Sequence, residues 1–299
     1  MNVESLLSIK NLSKHYGEKV ALQDASLDVK GGEIVALIGK NGAGKTTLLN
    51  SLCGIIFPDS GEIWYKGVDL QKDNSGLAEF GILITGSFFD YLNTFDNLAL
   101  LMKASGETDK REISKRIDDV LRLVGLEGQK KKRVKSFSFG MKQRLGLAQT
   151  LLTKTSVLVL DEPFVGLDPL GKDILKKVIL EKARTENVGV LFSSHDLNDV
   201  TEICDRVVMI ESGKKVYDDV FNNDRRHCIV VDPNTDETFL QNMSEQFPAI
   251  IIKGLSIECK SELLNTVVAH LVLHNISITD MQTKENSLYD FFFKQEEQS

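Results

Sequence analysis

The stretch GKNGAGKTT, Gly39 to Thr47, decides how the rest of the chain reads. It fits the spacing G-x-x-x-x-G-K-[S/T], follows the continuously apolar run IVALI (Ile34 to Ile38) and opens a helical pattern at Lys45. That is the strand, loop and helix context a phosphate-cradling loop requires. Gly42 and Gly44 carry no side chain, so the backbone from Gly39 through Lys40, Asn41 and Ala43 can close around a β-phosphate. The positive end of the helix dipole stands behind it. Lys45 is expected to reach the β- and γ-phosphates, Thr46 to place its hydroxyl on Mg²⁺, and Thr47 to complete the nucleotide-binding set.

Outward from the loop, VLVLD (Val157 to Asp161) and VGVLFSS (Val188 to Ser194) repeat the apolar run, and helical patterns begin at Asp168 and Asp196. Strand then helix, three times over, predicts an α/β fold with a mostly parallel sheet of the phosphate-loop NTPase kind. Asp161 leaves its strand where it can join the Mg²⁺ shell through a water. Glu162 beside it can orient or deprotonate an attacking water. His195 ends the third strand on the same sheet edge, either as a satisfied core histidine or as a polar sensor of the γ-phosphate.

Between the first and second of these units, TFDNLALLMKAS and TDKREISKRIDDVLRLVGL show apolar residues at helical spacing, with Thr94 and Thr108 as candidate caps. They read as an inserted helical subdomain over about 86–155. LLSIKNL, GEIWYKGVDL and DRVVMIESGKKVYD read as antiparallel strands and hairpins at the margins of the main sheet, an antiparallel β subdomain. Residues 1–222 then form one domain. Residues 223–299 form a small α+β appendix ending in SLYDFFFKQ, with Ser287 as a helix cap.

The chain has 299 residues, 42% of them hydrophobic and 26% charged, as in an ordinary globular protein. No stretch approaches the roughly 20 apolar residues of a spanning helix, and MNVESLLSIK lacks the features of a signal peptide, so a cytosolic chain is expected. Cys53, Cys204, Cys228 and Cys259 are widely spaced and read as free thiols. The net charge of −7 disfavours a nucleic-acid partner. The basic run QKKKRVK, Gln129 to Lys135, is either a solvated face or an anion or membrane-surface contact.

These motifs, in this order and with the helical insertion between them, resemble the ATP-binding subunits of ABC transporters. SFSFGMKQRL, Ser136 to Leu145, falls where that family carries its Leu-Ser-Gly-Gly-Gln signature. Ser138 matches the signature serine and Gly140 its second glycine, while Phe137, Phe139 and Met141 replace the leucine, the first glycine and the glutamine. The continuation GMKQRLGLA resembles the branch that exports drugs and antimicrobial peptides. The resemblance implies that Ser138 and Gly140 close over ATP held by a partner chain, that Tyr16 stacks on adenine, and that GLDP (Gly166 to Pro169) is the loop coupling the two sites. Thr85 stands where the family places a glutamine or glutamate on Mg²⁺; the shorter, uncharged side chain either breaks that link or makes it through a water.

The resemblance therefore implies an ATPase with ATP and Mg²⁺ as cofactors, acting as a dimer with a like or unlike ATP-binding subunit. It would drive a separate transmembrane permease from the cytoplasmic face of the membrane. Two alternatives are a soluble ABC-type ATPase working on nucleic acid or the ribosome, and a weakly hydrolysing partner in a heterodimer. Against the first stand one phosphate loop, no heptad run and the acidic balance; against the second stand the intact Lys45, Thr46, Asp161, Glu162 and His195.

Overall fold

The computed structural model describes residues 5–84, 88–221 and 226–284, and the chain divides into two compact units, 1–221 and 222–299. Thr85 and Ser287 lie outside the described residues. In the first unit, β1 (Leu7–Tyr16) and β2 (Lys19–Val29) precede β3 (Ile34–Ile38) and helix α1 (Lys45–Leu52). Next come β4 (Ser60–Tyr65), β5 (Val68–Asp69) and β6 (Phe80–Leu83), then the helices α2 (Thr94–Ala104), α3 (Lys110–Leu123) and α4 (Phe139–Thr150). Strands and helices then alternate: β7 (Val157–Leu160), α5 (Pro169–Glu186), β8 (Gly189–Ser194), α6 (Leu197–Thr201), β9 (Arg206–Glu211) and β10 (Lys214–Val220).

The six-stranded sheet runs β10-β9-β3-β8-β7-β6, parallel throughout except for the β9–β10 hairpin. Its inner strands β3, β7 and β8 are buried at every residue, which is why their sequences read as unbroken apolar runs. Alternate residues, among them Val35, Leu37, Val159 and Leu191, enter one core with Leu7, Ile9, Leu12 and Leu22 of the β1–β2 hairpin and with Leu48, Leu49 and Leu52 of α1. The expected antiparallel β subdomain is present, as a sheet of its own and not as added margins of the main one. The LLSIKNL and GEIWYKGVDL strands form a four-stranded antiparallel sheet, β2-β1-β4-β5, packed over it. β1 is already paired on both sides, by β2 and β4, so it has no free edge to offer the parallel strands.

The inserted helices pack on one another, and α4 also lies on β6. α3 buries Ile113, Ile117, Val120 and Leu121, a stripe at helical spacing. The caps are Asn93, whose side chain accepts from Asp96 N at 2.8 Å, and Asp109, which accepts from Arg111 N at 2.7 Å. Thr94 is instead buried, its hydroxyl donating to Lys132 O at 3.2 Å. That bond belongs to a short antiparallel contact, centred on the bridge between Asn93 and Arg133, that lays the basic run along Asp90–Phe95. Lys130 of the run pairs with Asp118 at 2.7 Å.

The second unit contains β11 (Arg226–Val231), α7 (Glu237–Gln246), β12 (Ile251–Lys253), β13 (Ser256–Lys260), α8 (Ser261–Leu273) and β14 (Ile278–Lys284). All its strand pairs are antiparallel, in the order β12-β13-β11-β14, which is the split β-α-β arrangement of ferredoxin-like units. Its own core gathers Ile229, Val231, Leu240, Met243, Ile257, Val267 and Leu271. AIIIKGLSIEC proves to be two strands, because the chain turns at Gly254 with φ +60°.

Candidate functional site

Sheet order builds the site. β3, β8 and β7 are consecutive neighbours, so the residues leaving their C-terminal ends, Gly39 onward, His195 and Asp161–Glu162, meet at one edge. The loop after β3 is shaped by its glycines. Gly44 has φ +114°, and a Cβ there would sit 2.5 Å from Ala21 O. Gly42 has φ +84°, and a Cβ there would meet no atom within 4 Å, so the loop backbone is bare on its open side. Gly39 and Ala43 hold the loop to β9 and the β9–β10 turn: a Cβ on Gly39 would lie 2.3 Å from Ile210 O, and Ala43 O accepts from Gly213 N at 2.8 Å.

A cavity of about 210 Å³ opens over this loop, lined by Tyr16, Lys40, Asn41, Gly42, Gly44, Lys45, Thr46, Thr47 and Glu162, together with Lys19 and Ala21. Lys45 is 5% exposed and donates to Gly39 O at 2.6 Å. Its ammonium lies 3.2 Å from Glu162 Oε1, close enough for an ion pair. That oxygen is buried and has no hydrogen-bond donor among the described residues, so it keeps an accepting lone pair. Oε2 of the same carboxylate meets His195 Nδ1 at 2.8 Å. Thr46 Oγ1 donates to Asp161 Oδ2 at 2.8 Å. Tyr16 is half exposed at the cavity wall, and Lys14 Nζ stands 5.8 Å from its ring centre.

One residue of this cluster escaped the sequence reading. Ser193, fully buried near the end of β8, donates to Asp161 Oδ1 at 2.5 Å and accepts from Glu162 N at 2.7 Å. Glu162 has φ +46°, a conformation that costs a non-glycine residue roughly 1–3 kcal/mol. The bond from its amide to Ser193 helps hold that backbone, which aims the carboxylate back toward Lys45 and His195. The signal was present in LFSS: two hydroxyls at the end of a buried strand, where an unpaired polar group is costly.

Ser138 and Gly140 are not among the residues lining this cavity. Ser138 caps α4, its hydroxyl accepting from Met141 N at 3.3 Å. Gly140 packs closely on the loop after β7, since a Cβ there would lie 2.9 Å from Gly166 O. Asp168 caps α5 by accepting from Gly171 N at 3.0 Å. Among the described residues no helix is long and apolar enough to cross a membrane.

The sequence profile of the family described as ABC transporter matches residues 22–165. An uncharacterised ABC transporter ATP-binding protein of Bacillus subtilis, YdbJ, is 38% identical over 213 residues, 71% of this chain and 68% of its own. The bacitracin transport ATP-binding protein BcrA of Bacillus licheniformis is 31% identical across 98% of this chain and 97% of its own. The lantibiotic transport ATP-binding protein SrtF of Streptococcus pyogenes is 35% identical across 73% and 96%. Among solved structures, an ATP-binding subunit of an ABC transporter matches with a TM-score of 0.66 at 29% identity, over 82% of this chain and 94% of its own. A dimeric ATP-binding cassette, solved in a post-hydrolysis state with ADP and Pi, shares the fold with a TM-score of 0.67 at 23% identity, over 72% and 99%.

Proposed function

The chain belongs to the ABC transporter family as one of its ATP-binding proteins, and we propose that it is the ATPase of an exporter whose membrane path is a separate permease. It binds ATP and hydrolyses it. The observation that carries the residue assignment is the Glu162 carboxylate, held between Lys45 at 3.2 Å and His195 at 2.8 Å at the rim of the phosphate loop.

The bare backbone of Gly42 to Gly44 and the start of α1 receive the β-phosphate, and Lys45 leaves the carbonyl of Gly39 to reach the β- and γ-oxygens. Glu162 Oε1 accepts the proton of the attacking water, while His195 on Oε2 fixes the carboxylate's orientation. Thr46 Oγ1 and Asp161 Oδ2, 2.8 Å apart, are the hard oxygen donors that suit Mg²⁺. When bound there, the ion neutralises charge that builds on the phosphates. Ser193 keeps Asp161 and Glu162 in register, and Tyr16 offers an exposed ring for the adenine.

Catalysis in this reading uses two copies, or one copy and a related ATP-binding subunit. Ser138 and the amides at the start of α4 face the γ-phosphate held by the other. The dimeric cassette of the same fold supports that arrangement. BcrA and SrtF, named for bacitracin and lantibiotic transport, support an amphipathic peptide as cargo. Closure on ATP and reopening after hydrolysis would move the permease, placing the chain at the cytoplasmic face of the membrane.

Glu162→Gln tests the central assignment. The variant is expected to bind ATP normally, to turn over at least about 100-fold more slowly, and to accumulate an ATP-dependent dimer on gel filtration. Wild-type turnover in it would remove Glu162 as the base. Purification from native membranes in mild detergent tests the permease: recovery only from the soluble fraction, with no membrane protein attached, would overturn the transport reading.

A further inference from the structure

Phe139 stands at the first position of α4, beside the Ser138 cap, where the resembling signature has a glycine. The residue is 62% exposed, yet one edge of its ring lies directly on Gly166: a Cβ built at Gly166 would be 2.2 Å from ring Cδ1 and 2.5 Å from Cε1. The next residue also packs on this point, with a Cβ on Gly140 falling 2.9 Å from Gly166 O. Gly166 thus meets both the ring of Phe139 and the backbone of Gly140.

Gly166 sits in a short connection that begins at Glu162. Val165 N donates to Glu162 O at 3.2 Å and Leu167 N to Phe164 O at 3.3 Å, so the chain from Glu162 to Leu167 winds as two tight turns. Asp168 then caps α5. The Phe139 ring therefore ties two parts of the proposed mechanism: the segment that presents Ser138 and the loop that carries Glu162.

We propose that Phe139 is a positioning residue whose ring, seated on Gly166, couples Ser138 to Glu162 within one chain, so that turnover at one site depends on nucleotide at the other. The proposal rests on the reading that Ser138 meets ATP held by a second copy or a related subunit. A bulky residue here is then a fitted part of this chain and not a damaged signature. A glycine at 139 would take the ring off Gly166 and leave the backbone contact at Gly140 and the bonds that Gln143 Nε2 donates to Glu162 O and Pro163 O, both at 3.4 Å, as the remaining ties of this connection to α4.

The test is a mutant cycle on the purified full chain, following ATP binding, KM, kcat and the Hill coefficient for ATP. Phe139→Gly is expected to leave ATP binding unchanged, to lower kcat with little change in KM, and to bring the Hill coefficient down toward one. Phe139→Leu should restore most of the loss, and Phe139→Ala serves if glycine loosens the helix start. Gly166→Ala drives a methyl into the ring and should lower kcat more; adding Phe139→Gly should recover about fivefold of that loss, the coupling expected of residues in contact. Independent, multiplicative effects, or wild-type kcat and Hill coefficient in Phe139→Gly, would overturn the proposal. Ser138 variants separate the two layers: if Ser138→Asp also leaves turnover untouched, the dimer reading fails; if only the Phe139 variants are silent, the clamp alone fails.

Discussion

The phosphate edge and the signature segment carry equally clear motifs but are built differently. At the phosphate edge the side chains converge on one another: Lys45 lies against Glu162, Glu162 meets His195, Thr46 and Ser193 donate to Asp161. At the start of α4 the Ser138 hydroxyl does no more than cap its own helix, while Phe139 shows most of its surface to solvent. The first region can be understood from one chain. The second stands away from the cavity over the phosphate loop of its own chain, as the proposed sharing of an active site between copies requires.

The comparison breaks most sharply at Gly44. Gly44→Ala places a methyl 2.5 Å from Ala21 O in a backbone with φ +114°, so the loop must deform. ATP affinity of the isolated chain is expected to fall more than about tenfold, equivalent to about 1.4 kcal/mol, by equilibrium titration with a fluorescent nucleotide. Unchanged affinity would mean that the loop does not bind phosphate in this shape.

Ser138→Asp sharpens the other side. Aspartate caps a helix as well as serine does, so thermal stability should shift by less than about 0.5 kcal/mol. The added charge would face a partner's phosphate, and turnover should drop at least about tenfold while ATP binding by the single chain stays intact. A loss of binding instead would place Ser138 in the chain's own pocket.

The smallest effect is expected far from both regions, where Glu79 ties the start of β6 to the start of β7. Lys66, Ser156 and Tyr65 donate to its carboxylate and hold its pKa down to about 2 from an ordinary 4.5. A depressed carboxyl stabilises the fold fully above its ordinary pKa, and that contribution fades as the pH falls through 4.5 toward 2. The side chain is half exposed, so the gain is modest. Urea midpoints of the wild type and Glu79→Gln should differ near neutral pH and converge in acid, while ATP turnover of the two stays equal at neutral pH. A gap that persists in acid would assign the effect to packing.

Much of the site was legible because its chemistry is written in contiguous residues. Nine consecutive positions spell the phosphate-loop motif, and an apolar run that ends in Asp161 and Glu162 marks both the strand and the place of the two acids at its end. Cap positions were misread by one residue, because Thr94 and Asn93, like Thr108 and Asp109, are both plausible caps. The choice fell to a hydrogen bond with Lys132, a residue 38 positions away. Ser193 escaped because a serine gains meaning only once β7 and β8 are neighbours.

The amino-acid sequence by itself determined the parallel strands, the phosphate loop and the identities of Lys45, Thr46, Asp161, Glu162 and His195, since buried strands demand apolar runs and a tight anion cradle demands glycine. Only the tertiary structure decided the strand order β2-β1-β4-β5 of the antiparallel sheet and its packing over the parallel one, that Ser193 bridges the two acids, and that Phe139 rests on Gly166. Those contacts join residues remote in the chain, and no local propensity encodes them. They exist because strand order and helix packing bring surfaces together, and the fit of each surface is a property of the folded whole.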